Sequence, residues 1–154
     1  MNLIRGTVVA AALLAIGVPA VAQNHEAAIK ARQATMQLYS HFLGQLGAMA
    51  KGDVDYDAEK AGVLAASLAS VAGIDQSAMW PPGSDNTTLG DMTRALPAIW
   101  TTFPAISEKG QAMGAAVEGL QGAAGNGLDA LRAAMGPVGG SCSDCHKTFR
   151  LSTN

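Results

Sequence analysis

The chain has 154 residues, of which 49% are hydrophobic and 14% are charged, and its formal net charge is −2. This length corresponds to one domain of ordinary size. The slightly acidic balance argues against the basic patch that binds nucleic acid and against a polybasic membrane-binding segment. The residues are rich in Ala, Gly, Leu and Met and lack the alternation of apolar and polar residues typical of strands. We therefore expect an all-α protein.

The first 22 residues have the features of a secretory signal peptide. One cation, Arg5, precedes the apolar run from Val8 to Val18, and Ala20-Val21-Ala22 is an A-x-A cleavage site. A membrane anchor is the alternative, but the apolar run is too short to span a bilayer comfortably. We expect residues 1–22 to be removed, residues 23–154 to form a single domain, and no membrane anchor to remain.

Apolar residues recur at steps of three and four in four segments of the mature chain, which predicts four helices. Helix one is expected over about Glu26–Lys51, helix two over Asp57–Ala72, helix three from near Leu96 to about Asn126, and helix four from about Gly127 to Phe149. Residues 74–91 contain Trp80-Pro81-Pro82-Gly83 and are predicted to form a long crossover loop.

Short polar side chains and prolines set the expected ends and bends of these helices. Asp55 or Asp57 is predicted to cap helix two, and Asn126 to cap helix four. Pro104 lies inside predicted helix three and should bend it, and Pro137 should kink helix four.

Helix four carries the pentapeptide Cys142-Ser143-Asp144-Cys145-His146. The pattern C-x-x-C-H is the attachment signature of a c-type haem. On a helix, Cys142 and Cys145 face the same way, so each thiol can add to one vinyl group of the porphyrin. His146 can then bind the iron from the proximal side. The two cysteines continue the apolar stripe of the helix, which predicts that the haem enters the interior of the bundle.

Other interpretations of the pentapeptide fit the chain less well. A structural zinc site needs about four ligands, and the chain has only two cysteines. A thioredoxin-like C-x-x-C is expected near a βαβ pattern, and nothing here resembles β structure. A disulfide between these two positions of one helix would be strained. We therefore predict one haem c, attached covalently through two thioethers.

Four helices with C-x-x-C-H on the last one resemble the cytochrome c′ family, the class II cytochromes c. The resemblance covers essentially the whole mature chain. It rests on Arg32-Gln33-Ala34-Thr35-Met36, on Ile99-Trp100 and on the segment Cys142 to Arg150. It implies an antiparallel, up-down-up-down four-helix bundle with haem c in the core near the C-terminal helix. It also implies a periplasmic protein, because bacteria attach haem c outside the cytoplasm.

The resemblance also implies roles for four further residues. Arg32 would lie near the haem propionates and Arg150 close to the haem, with solvated surface charges as the alternative. Trp100 would pack near the haem edge or a propionate, or else be an ordinary core aromatic. Met36 occupies a position that is apolar, often leucine, in high-spin members with five-coordinate iron and methionine in low-spin members. Met36 would therefore be the second axial ligand beside His146, with core packing as the alternative.

These features predict a periplasmic carrier of single electrons with His/Met ligation of the iron. The alternative is a high-spin cytochrome c′ that binds nitric oxide or carbon monoxide at an open distal site. The sequence offers no catalytic grouping, so an enzyme such as a peroxidase ranks third. Redox proteins are the expected partners. Family members are often homodimers through the first two helices, and for this chain monomer and homodimer both stay open.

Removal of the signal peptide can be tested directly. Because Ala20-Val21-Ala22 forms the cleavage site, we expect the exported protein to begin at Gln23, in open or cyclised form. N-terminal sequencing or intact mass would show this, and exported protein that retains Met1 would contradict it.

Overall fold

The computed structural model describes the backbone of residues 20–152 and the side chains of residues 25–152. Residues 1–19, most of the predicted signal peptide, lie outside this part. Within it there are six α-helices: α1 (Ala20–Lys51), α2 (Ala58–Ala72), α3 (Asn86–Leu89), α4 (Ala98–Thr101), α5 (Ala105–Ala123) and α6 (Leu128–Phe149). None of the helices described is both long enough and apolar enough to cross a membrane.

The four long helices pack as a closed ring. Each of α1, α2, α5 and α6 contacts its neighbour in the chain, and α1 contacts α6 to complete the ring. Short connections join α1 to α2 and α5 to α6, so these neighbours run antiparallel. The predicted up-down-up-down four-helix bundle is confirmed.

Each long helix contributes a fully buried leucine to one core, namely Leu46, Leu68, Leu120 and Leu131. Burying a leucine side chain stabilises a fold by roughly 1.5–3 kcal/mol. The four buried leucines therefore hold the four helices together. A second, smaller apolar cluster lies at the C-terminal end of α6. Its buried members are Ala95, Ile99 and Phe149, and Cys145 packs against it.

The prediction of one continuous helix from Leu96 onward is wrong, because two separate helices occupy this part of the chain. The short helix α4 ends at Thr101, and α5 begins only at Ala105, directly after Pro104. A proline has no amide hydrogen and disfavours the helical conformation in the residue before it, here Phe103. That backbone cost breaks the helix, although the apolar spacing continues across the break. In contrast, α6 runs through Pro137 without a break.

Capping was predicted correctly at α2 and incorrectly at α6. The Asp57 carboxylate accepts a hydrogen bond from the Lys60 amide at 3.0 Å, so Asp57 rather than Asp55 is the cap. Asn126 does not cap α6, since its side-chain amide donates to the Gly122 carbonyl instead. Gly127 precedes α6 with a φ of 115°, a conformation that glycine adopts without strain.

The segment predicted as a crossover loop is more ordered than expected. It contains α3 and two 3-10 turns at Ser77–Met79 and Gly90–Met92. The carboxylate of Asp85 accepts hydrogen bonds from the amides of Thr87 and Thr88 and so caps α3. For this chain, the monomer and the homodimer through α1 and α2 both stay open.

Tyr56 connects the two short loops at one end of the bundle. Its hydroxyl donates to the Ala124 carbonyl at 2.8 Å and accepts from the Gly127 amide at 2.9 Å. One side chain from the α1–α2 connection thereby satisfies two backbone groups of the α5–α6 connection.

We expect Tyr56→Phe to lower the free energy of unfolding of the holoprotein by about 1–3 kcal/mol, since two partly buried backbone groups lose their partner. Denaturant unfolding would measure this. Ser67→Ala is the control, because that hydroxyl bonds only to the Val63 carbonyl of its own helix. The control should change stability by less than about 0.5 kcal/mol. Equal effects of the two substitutions would contradict the role of Tyr56.

Candidate functional site

The two cysteines lie on α6 between the two apolar clusters. Both are free thiols and half-buried. Cys142 packs against the main core, and Cys145 packs against the cluster that contains Ile99 and Phe149. Burial raises the pKa of both thiols, so they are protonated at neutral pH. Apolar material thus borders both sulfur atoms.

His146 is half-buried and directly follows Cys145. Burial, and then the charges of Arg150 and Arg94, lower the pKa of its imidazole. The ring is therefore neutral at pH 7, which is the form that binds a metal ion.

The helix register places Met36 at the level of His146. On α1 and α6, Met135 packs over Gly47, and the Arg132 Nε donates to the Ala50 carbonyl at 2.7 Å. The two helices are antiparallel, and Met36 lies eleven residues before Gly47 while His146 lies eleven residues after Met135. Met36 is therefore at the same height along the bundle as His146. The Met36 side chain is 39% exposed. It is therefore not one of the buried core side chains, and the predicted ligation of iron by Met36 stays a prediction.

Arg32 is 4% exposed, and its two terminal nitrogens have four oxygen acceptors. One terminal nitrogen donates to the Ser84 hydroxyl at 2.8 Å and to the Met79 carbonyl at 3.4 Å. The other donates to the Ser84 carbonyl at 2.6 Å and to the Thr93 hydroxyl at 2.7 Å. The guanidinium also lies 4.6 Å from the centre of the Trp80 ring, a cation–π contact.

This network fastens the segment between α2 and α4 to α1. It excludes the alternative that Arg32 is a solvated surface charge, and the predicted contact with a haem propionate stays a prediction. The sequence did not indicate Ser84 or Thr93, because they lie 52 and 61 residues from Arg32 along the chain.

Trp100 belongs to the cluster that borders Cys145. Its indole nitrogen donates to the Trp80 carbonyl at 3.1 Å, and the two rings are 6.4 Å apart. The hydrogen bond satisfies the polar atom of a partly buried side chain. Trp100 and Cys145 thus pack against the same apolar cluster.

Arg150 follows the end of α6 and is exposed. It pairs in an isolated antiparallel bridge with Ala95. Arg94 donates to the Leu151 carbonyl at 2.6 and 2.9 Å, which extends the pairing. This bridge brings Arg94 and Arg150 to the same end of α6 as His146.

The donor set fits haem c better than a single metal ion. Within residues 25–152, no three His, Cys, Asp or Glu side chains converge on a point that a metal ion could occupy. Cys142, Cys145 and His146 are thus adjacent along one helix but do not form a zinc-type cage. Two thiols at separate positions and one imidazole are the groups that a covalently attached haem requires.

A family model described as Cytochrome C′ matches residues 27–150. The chain belongs to the cytochrome c′ family. It is 38% identical over 138 residues to a cytochrome c-554 of Cereibacter sphaeroides, covering 88% of this chain and 90% of that one. The structure of cytochrome c′ from Rhodobacter Spheriodes superposes with a TM-score of 0.81 at 37% identity, covering 84% of this chain and 98% of that one.

A second similar structure is described with a bound gas. It is a nitric oxide complex of a leucine-to-alanine variant of cytochrome c′ from Alcaligenes xylosoxidans, with a TM-score of 0.74 and 31% identity. It covers 84% of this chain and 97% of that one. Another variant of that protein is described with carbon monoxide bound. Membership of the family confirms the predicted cofactor, covalently bound haem c.

We expect Arg32→Leu to lower the free energy of unfolding by about 3–5 kcal/mol, because it leaves two buried oxygens of Ser84 without a donor and removes one of the two donors to the Thr93 hydroxyl. Arg32→Lys should recover only part of this loss, since an ammonium lacks the fork of the guanidinium. Urea unfolding would measure the loss, and hydrogen exchange should show faster opening of residues 77–93.

Arg132→Leu is the matched control. This arginine is exposed on α6, and both its hydrogen bond to the Ala50 carbonyl and its ion pair with Asp129 are exposed to solvent, so the expected loss is below about 1.5 kcal/mol. Similar losses for Arg32 and Arg132 would show that the buried network contributes little.

Proposed function

We propose that this chain is a periplasmic c-type cytochrome whose distal haem face binds nitric oxide or carbon monoxide. Cys142 and Cys145 would form the two thioethers, and His146 would be the proximal ligand. The observation that carries the proposal is the likeness of this chain to a cytochrome c′ variant that is described with nitric oxide bound. The likeness covers 97% of the length of that variant. The predicted signal peptide supports the periplasmic location.

The residues of this chain would hold the cofactor in defined ways. The thiols of Cys142 and Cys145 border both apolar clusters, so attachment there surrounds the macrocycle with apolar side chains. The neutral imidazole of His146 would hold the proximal side. The bound haem supplies an iron that changes between the ferrous and ferric states and that can accept a further axial ligand. Trp100 and Arg150 would lie beside the attachment positions, and Arg32 towards the propionates.

An electron carrier with His/Met ligation is the second candidate. The observation that favours it is the register of α1 on α6, which brings Met36 to the level of His146. A thioether in that position can bind iron, and Met/His ligation favours electron transfer by raising the potential. In the gas-binding protein, Met36 would instead only line the distal side.

Met36→Leu distinguishes the two candidates. If the chain binds gas at an open site, ferrous wild-type protein should be high-spin, and the substitution should change the spectrum and the rate of carbon monoxide binding little. If Met36 ligates the iron, the wild type should be low-spin and the substitution should convert it to high-spin. The binding rate should then rise at least about tenfold, since displacing a ligand bond worth only 1.4 kcal/mol already costs that factor.

Met49→Leu is the control, because Met49 is a buried methionine of α1 that packs in the main core. It should leave the spectrum and the gas-binding rate as in the wild type. A low-spin wild type that becomes high-spin only in Met36→Leu would overturn the gas-binding proposal in favour of the electron carrier.

A further inference from the structure

Cations gather around the end of α6 that carries the haem-attachment motif. Lys147 and Arg150 line a shallow depression of about 380 Å³ together with Ser143, His146 and Ser152. Arg94 is near enough to His146, and Lys109 near enough to Cys145, for their charges to affect the pKa values of those residues. We call Arg94, Lys109, Lys147 and Arg150 the basic face.

The charges of the basic face are not neutralised by ion pairs. Among residues 25–152, the side-chain ion pairs are Lys30 with Glu26 and Arg132 with Asp129. None involves the basic face, and no carboxylate lines the depression. Asp144 directly precedes Cys145, and Glu108 directly precedes Lys109. The four cations of the basic face therefore outnumber the two carboxylates that are close to them in the sequence.

The net charge of the protein has the opposite sign. The formal charge of the chain is −2, and a group of acidic residues lies at the other end of the bundle, in and after the α1–α2 connection. These residues are Asp53, Asp55, Asp57 and Glu59. The positive potential at the motif is therefore local and is set against a negative background.

We propose that the basic face is the docking surface for a partner protein that presents a carboxylate-rich patch and exchanges electrons with the haem. The proposal rests on the proposed function in one respect, that haem is bound at His146. One electron would pass from the reduced partner to ferric iron, and no bond would form or break. Both candidate functions need such a donor, since carbon monoxide binds ferrous iron. Complementary charge at the docking site speeds encounter and orients the partner.

The reaction of the haem with a small anionic oxidant tests whether the charge near the haem is positive. Reduced holoprotein would be mixed with hexacyanoferrate(III) in a stopped-flow instrument at ionic strengths from about 10 to 200 mM, a range over which screening becomes strong. If the basic face controls the encounter, the rate falls several-fold as salt is added. If the net charge controls it, the anion is repelled and the rate rises with salt, which would overturn the proposal.

Two matched variants locate the effect. Lys147 and Lys51 are both exposed, and each lies in the last turn of a long helix. Lys147→Glu and Lys51→Glu therefore change the net charge and the interaction with the helix dipole equally. We expect Lys147→Glu to slow the low-salt reaction by about threefold or more, and Lys51→Glu to slow it by less than about 1.5-fold. Equal slowing would show that the basic face has no special role.

A second measurement does not depend on electron transfer. Paramagnetic hexacyanochromate(III), added to ¹⁵N-labelled holoprotein, should broaden amide signals near Lys147 and Arg150 and spare those near Lys51. Broadening elsewhere would overturn the proposal. The absorption spectrum and mass of the same sample show whether haem is attached, so a failure of the proposed function is seen separately from a failure of the basic face.

Discussion

The arrangement of the motif-bearing end depends on one buried cation, the guanidinium of Arg32. A buried charge is tolerated only when its donors are satisfied. Here the acceptors come from the segment between α2 and α4, through Ser84, Thr93 and Met79. The hydrogen bonds of Arg32 therefore fasten that segment to α1, together with the bond that the Gln76 side chain donates to the Tyr39 hydroxyl.

The consequences extend from Arg32 to the attachment site. Once the segment is fixed, Trp80 stacks on the guanidinium and its carbonyl accepts from Trp100. Trp100 in turn packs with Ile99 and Phe149 in the cluster that borders Cys145. A polar contact on the first long helix is therefore linked, through Trp80 and Trp100, to the apolar cluster at the C-terminal end of the last one. The Ala95–Arg150 bridge adds a backbone connection between the segment before α4 and the end of α6.

Most features that depend on neighbouring residues were predictable from the sequence, with Pro104 and Asn126 as exceptions, whereas features that depend on distant residues were not. The pentapeptide from Cys142 to His146 defines its chemistry within five positions, and the Asp57 cap needs only the amide three residues on. Pro104 was misjudged because apolar spacing continues from Ile99 through Phe103 to Ile106, which predicts one helix. The loss of an amide hydrogen outweighed that spacing. Phe103, which should have been buried, is instead 71% exposed.

The partners of Arg32 and the cations near His146 could not be predicted, because residues far apart in the sequence come together only in the folded chain. Ser84 and Thr93 are ordinary loop residues until the chain folds, and Arg94 joins Arg150 only through backbone pairing after α6 ends. Attachment and ligand choice are also carried by different helices. The residues that would bind haem covalently are all on α6, whereas the side chain level with His146 on the other side is Met36 of α1. On the proposed assignment, a substitution of Met36 in α1 would alter the distal side without altering the covalent attachment, and for that reason C-x-x-C-H predicts the cofactor but not its use.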